Sequence, residues 1–91
     1  MDVIKVASKS RTSSVAGAIA GVYRDNGCAE VQAIGAGAVN QAVKAVAIAK
    51  GYLAEEGKNI VFTPSFVEVE IDGELRTAVR LSIGDDLHEV G

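Results

Sequence analysis

The chain has 91 residues, 48% apolar and 23% charged, with a net charge of −3 and only four aromatic residues. That is one domain's worth of chain, ordered by composition, with a core that has to be built from Ala, Val, Ile and Leu. The longest apolar stretch, Val15 to Tyr23, falls short of the roughly 20 residues of a membrane span. The lone Cys28 excludes an intrachain disulfide, and no leader-like pattern opens the chain, so a cytoplasmic protein with no membrane association is expected.

The charge is uneven. Residues 1–50 carry six cations against three acids, a net +3, whereas residues 51–91 carry three cations against nine acids, a net −6. The two halves suit different partners or each other in a dimer; a solvated surface with chance asymmetry accounts for them equally well.

In chain order, Asp2 to Ala7 alternates as a strand, with Ile4 and Val6 on one face and Val3 and Lys5 on the other. Ser8 to Thr12 is a polar break, and Thr12 or Ser13 is suited to cap the following helix. That helix aligns Val15, Ala18, Ile19 and Val22 and stops at Asn26-Gly27, a left-handed cap pair. Gly17 and Gly21, four apart, would let a neighbouring backbone approach, mostly as helix-on-sheet packing. Cys28 to Ile34 is a second strand, and its Cys28 is expected to be a buried small hydrophobe. Gly35-Ala36-Gly37 turns the chain into a second helix, Ala38 to Glu56, closed by Gly57. Its apolar stripe is Val39, Ala42, Val43, Val46, Ala49 and Leu53, with Ala45, Ile48 and Tyr52 on a separate face.

Asn59 to Ile71 is a long extended segment interrupted by Pro64, which belongs at an edge or bulge. Asp72-Gly73 signals a hairpin into a last strand, Glu74 to Ile83. Matching core to core across this hairpin favours a three-residue loop that pairs Ile71 with Leu75, Val69 with Thr77, Val67 with Val79 and Glu70 with Arg76. Lys5, Glu30, Gln32, Glu68, Glu70, Arg76 and Arg80 then share one polar sheet face. The expected fold is α/β in the two-layer α+β sense. Its order is β-α-β-α-β-β, with a four-stranded mixed sheet and both helices on one face through right-handed crossovers. Residues 1–84 form the domain and 85–91 a loose polar tail.

The strongest functional signal is the loop Ser8-Lys9-Ser10-Arg11-Thr12-Ser13-Ser14. It sets two cations and five hydroxyls at a helix N-terminus, an arrangement suited to phosphate and equally to a simple capping loop with solvated cations. The turn Gly35-Ala36-Gly37-Ala38-Val39-Asn40 lacks the third glycine and the following acidic strand end of a dinucleotide fingerprint, so it implies no cofactor. It remains a tight turn that brings backbone at Gly35, Gly37 and Asn40 close to sheet or phosphate. In the tail, Asp86, His88 and Glu89 could hold a divalent ion weakly, but a dedicated zinc site needs more fixed ligands. No nucleophile has an identifiable base, which argues against an enzyme. Ile48, Tyr52, Phe62 and Phe66 exceed what one small two-layer domain buries and point to a twofold homodimer built from the second helix and the last two strands.

Three segments carry a family resemblance: Val3 to Ala16, Glu30 to Ala49, and Val69-Glu70-Ile71-Asp72-Gly73-Glu74. Over residues 2–83 the chain resembles the stage V sporulation protein S family, and that family resembles the Alba chromatin proteins. The resemblance implies the same element order, dimerisation, double-stranded DNA or RNA as a non-sequence-specific partner, and a role in sporulation and cell-envelope development. By the same likeness, Lys9 and Arg11 would touch phosphates; Ser10 and Thr12 beside them, and Arg76 and Arg80 as the cations of the hairpin, complete the candidate nucleic-acid-binding set. Alba proteins commonly carry basic residues where this chain has Gly35, Gly37 and Gln41, and a basic arm where it has Glu68, Glu70, Asp72 and Glu74. The alternative is a protein–protein interaction module that keeps this body and little nucleic-acid contact.

Overall fold

The computed structural model describes residues 2–87. The elements run β1 (Val3–Val6), α1 (Thr12–Asn26), β2 (Ala29–Ala33), α2 (Ala36–Ala54), β3 (Ile60–Ile71) and β4 (Glu74–Asp85). The sheet order is β1-β2-β4-β3. β1 and β2 are parallel, while β4 pairs antiparallel with both β2 and β3. This is the expected two-layer α+β architecture. Among the described residues no helix is long and apolar enough to cross a membrane.

One sheet face carries the core. Val6, Val31, Ala33, Leu81 and Ile83 meet Val15, Ile19, Tyr23, Ala42, Val46 and Leu53 from the helices. The buried line of α2 runs through Ala38, Ala42, Ala45 and Ala49, small side chains that let α1 and α2 lie close together over a sheet poor in aromatics. Ala45 is therefore core rather than part of a separate face. Ile48 packs against that core, and Val43 turns outward. Gly17 and Gly21 have open space at their Cβ positions, so no neighbouring backbone approaches there. Cys28 is exposed, because β2 begins one residue later, and it is not the buried hydrophobe the sequence suggests.

The helix ends follow the expected chemistry. Gly27 adopts φ 76° and donates its N–H to the Tyr23 carbonyl at 2.7 Å. At the end of α2, Gly57 donates to Ala54 and Lys58 to Leu53, each at 3.0 Å, which closes a Schellman motif. β4 runs two residues past its expected end. Asp85 pairs with Ile60 and its carboxylate accepts the Tyr23 hydroxyl. Asp86 donates its N–H to the Asn59 carbonyl at 2.8 Å and accepts from Asn59 Nδ2 at 3.1 Å. The start of the expected loose tail is thus tied to the body.

The hairpin departs most from expectation. Its loop is the two residues Asp72 and Gly73, at φ 51° and 80°, the pair of positive values that a type I′ turn needs. Ile71 pairs with Glu74, Glu70 with Leu75, Val69 with Arg76 and Val67 with Ala78. Glu70 is therefore not opposite Arg76, and Glu68 and Glu70 lie on the opposite face from Arg76 and Arg80. A register set by burial needs one buried face, but the arm leaves the core. Leu75 is 69% exposed and Phe66 79%, so burial does not select the register there and the turn residues do. β3 passes through Pro64 without interruption because it is the sheet edge, where a missing N–H costs no ladder bond. Each hairpin strand has 12 residues, about 40 Å at 3.3 Å per residue, and the molecule measures 47 × 25 × 22 Å.

Candidate nucleic-acid interface

β1 and β2 are parallel, so both strand-to-helix turns emerge at the same end of the sheet. In the first turn, Ser10 donates its N–H to the Ala7 carbonyl at 3.0 Å while its Oγ accepts the Ala7 N–H at 2.9 Å. Lys9 stands exposed at the tip of this turn. Arg11 occupies the extended N-cap position, and its carbonyl accepts the Val15 N–H at 3.0 Å. Neither Thr12 nor Ser13 caps α1: Thr12 is already its first residue, and no side chain bonds the open amides. The first turn of α1 contains no acid, and α2 likewise begins without an acid or a side-chain cap. Two positive helix ends are thus left without a compensating protein group.

The second turn is clamped to the first. Gly35 takes φ 90°, ψ 157° at the head of α2. Gly37 sits so close to Ser8 that a Cβ there would lie 2.9 Å from the Ser8 Cβ. Gln41 donates from Nε2 to the Ser10 carbonyl at 2.8 Å, and Asn40 is exposed beside it. The sequence does not pair Gln41 with Ser10, since no local pattern links residues 31 apart.

The hairpin arm projects from the same end, because the β2–β4 register advances from Ala29↔Ile83 to Ala33↔Val79 and β4 continues outward beyond it. Arg76 is exposed and Arg80 half-buried, on the sheet face away from the helices. The structure brings Lys9, Ser10, Arg11 and Thr12 together with Gly35, Gly37 and Asn40. Arg76 and Arg80 lie on the neighbouring open face rather than in that cluster.

Charge pairing divides the molecule. At the far end, Arg24 grips Glu56 with Nη2 to Oε2 at 2.6 Å. This charged hydrogen bond holds the Glu56 carboxyl below its ordinary range and raises the Arg24 guanidinium further. Lys50 binds Asn59 Oδ1 at 2.5 Å and the Ile60 carbonyl at 2.8 Å, and Lys58 lies 5.7 Å over the Tyr23 ring. By contrast, Lys5, Lys9, Arg11, Lys44 and Arg76 have no ion pair among the described residues. The acids of the arm, Glu68, Glu70, Asp72 and Glu74, are exposed.

The four side chains expected at a dimer interface are divided. Ile48 and Phe62 are half-buried against the core, while Tyr52 (43%) and Phe66 (79%) are exposed. Val43, Val46, Val61 and Phe62 line a shallow apolar groove between α2 and the β3 edge. No cluster of three or more metal-ligating side chains occurs among the described residues. Of the weak metal set, Asp86 is committed to Asn59, and His88 and Glu89 lie outside the described residues.

A family model described as stage V sporulation protein S matches residues 2–86. The match includes all six elements and continues through Asp85 and Asp86, past the Ile83 limit of the resemblance read from the residues. With this fold and these residues matched, the chain belongs to the stage V sporulation protein S family, a family of small proteins tied to sporulation.

Proposed function

We propose that this sporulation-related protein is a non-enzymatic, cytoplasmic homodimer that holds DNA or RNA through the phosphate backbone without reading sequence. Lys9 and Arg11 supply the charge. Ser10 and Thr12 sit beside them, Gly35, Gly37 and Asn40 allow backbone to come close, and Arg76 and Arg80 assist from the hairpin. No cofactor or metal takes part.

The observation that carries this reading is the unneutralised positive end: two exposed cations between two uncapped helix N-termini that contain no acid. An anion placed there gains both charge and open N–H donors. The Alba-like element order supports the same reading. The acidic arm favours a second one, a module that docks a basic protein partner.

Fluorescence anisotropy with duplex DNA and duplex RNA across a salt series tests the two. Lys9→Ala with Arg11→Ala should weaken binding equally for all sequences and flatten the log–log salt slope by about one to two. Wild-type protein with no salt-dependent binding would overturn the nucleic-acid reading and leave the docking module.

A further inference from the structure

The sheet face away from the helices is not flat. A cleft of about 510 Å³ opens there between the end of β1 and the β3 side of the arm. That volume is in the range of small-ligand sites. Its apolar walls are Ile34, Val69 and Ile71, and Ala78, on the same face between Ile34 and Val67, is 1% exposed. The polar side is Lys5 and its ladder partner Gln32; Arg80 follows Gln32 in the same row but stands outside the cleft wall. Among the described residues Lys5 has no ion pair, and Arg80 Nε is buried without a hydrogen-bond partner. Glu70 also borders the cleft, but its register opposite Leu75 puts its side chain on the helix-side face.

An apolar slot with one carboxamide, Gln32, and one cation, Lys5, in its wall suits a flat ring bearing an anionic group. We infer that this cleft seats a single unstacked nucleotide. The ring lies between Ile34 and Val69, the Gln32 amide meets the ring's polar edge, and Lys5 takes the phosphate. The same chemistry is offered by a free mononucleotide and by an unpaired nucleotide in a strand. The cleft reaches Ala7 and Ser8 at the edge of the first loop, but neither Lys9 nor Arg11 lines it, so the inference does not rest on the backbone-binding reading.

The test is an NMR titration of the full chain with AMP and UMP, with inorganic phosphate and ribose 5-phosphate as ringless controls, and with a short single-stranded oligonucleotide. Saturable shifts at Gln32, Ile34 and Val69 with the nucleotides, at least fivefold weaker with the ringless controls, are expected. Lys5→Ala and Val69→Asp, both outside the main core, should each weaken nucleotide binding at least fivefold while the rest of the spectrum keeps its dispersion. A preference for the oligonucleotide over AMP and UMP identifies a strand as the source, and the reverse preference identifies the free nucleotide. Absence of saturable cleft shifts up to 10 mM nucleotide, or equal binding of phosphate and nucleotide, overturns the inference. Duplex binding lost in Lys9→Ala, Arg11→Ala protein with cleft shifts intact separates its fate from that of the proposed function.

Discussion

Gly37 opens α2 directly against Ser8, with room for a hydrogen but not for a methyl: a Cβ at 37 would stand 2.9 Å from the Ser8 Cβ. This contact and the Gln41–Ser10 bond join the two strand-to-helix turns into one surface. Gly37→Ala gains about 1 kcal/mol of helix propensity but has to displace a side-chain atom fixed to the backbone, at about 1–3 kcal/mol. A net loss of about 1 kcal/mol in urea unfolding is expected, together with weaker nucleic-acid binding. Gly17→Ala, with open space at its Cβ, should instead gain about 0.5–1 kcal/mol. Equal effects of the two substitutions would refute the clamp.

Tyr23 is 3% exposed and donates its hydroxyl to Asp85 across the far end of the sheet. Tyr23→Phe removes the donor from a charged acceptor and should cost about 1.5–3 kcal/mol. Urea unfolding of the variant measures this, and an unchanged midpoint would show that water replaces the hydroxyl fully.

Phe66, at 79% exposure on the edge strand, is the largest apolar side chain left open on the hairpin. If it is covered by a second copy, light scattering at roughly tens of micromolar gives a dimer for the wild type. Phe66→Ser should shift it to monomer without loss of helix signal. A monomeric wild type at that concentration ends the dimer proposal.

The arm carries Glu68, Glu70, Asp72 and Glu74 near the positive turns. If it approaches nucleic acid, these acids oppose phosphates of the same sign. Glu70→Lys with Asp72→Asn should then raise affinity roughly fivefold at low salt, the equivalent of about 1 kcal/mol for one close charge pair in water. The gain should fade as salt rises. The fold should persist, since Glu70 is exposed and Asn-Gly suits the same type I′ turn. Unchanged low-salt binding would mean that the arm does not approach nucleic acid and would favour its use as a protein-docking surface.

The elements were readable because each is punctuated locally. Gly27 and Gly57 end the helices where left-handed caps are needed, and the alternation of Ala29, Val31 and Ala33 against Glu30 and Gln32 matches the buried and half-buried faces of β2. The phosphate-suited loop was readable for the same reason, since Lys9, Arg11 and the hydroxyls are neighbours in the chain. The helix cap was not: Thr12 has the right chemistry, but the Ser10 turn against Ala7 starts the helix one residue too early for Thr12 to cap it.

Sequence alone determined the order and type of the elements, the glycine caps at the helix C-termini and the cationic loop, all of which depend on residues within about one helical turn of each other. Tertiary structure alone decided the hairpin register, the commitment of Arg24, Lys50 and Lys58 at one end, the clamp between Gly37 and Ser8, and the cleft over Lys5 and Gln32. The register shows why. Alternation can choose a register only where one face is buried, and no residue of the arm outward of Ala78 and Val67 is buried. There the turn's two positive φ angles decide the pairing, and with it the face that each charge of the arm presents.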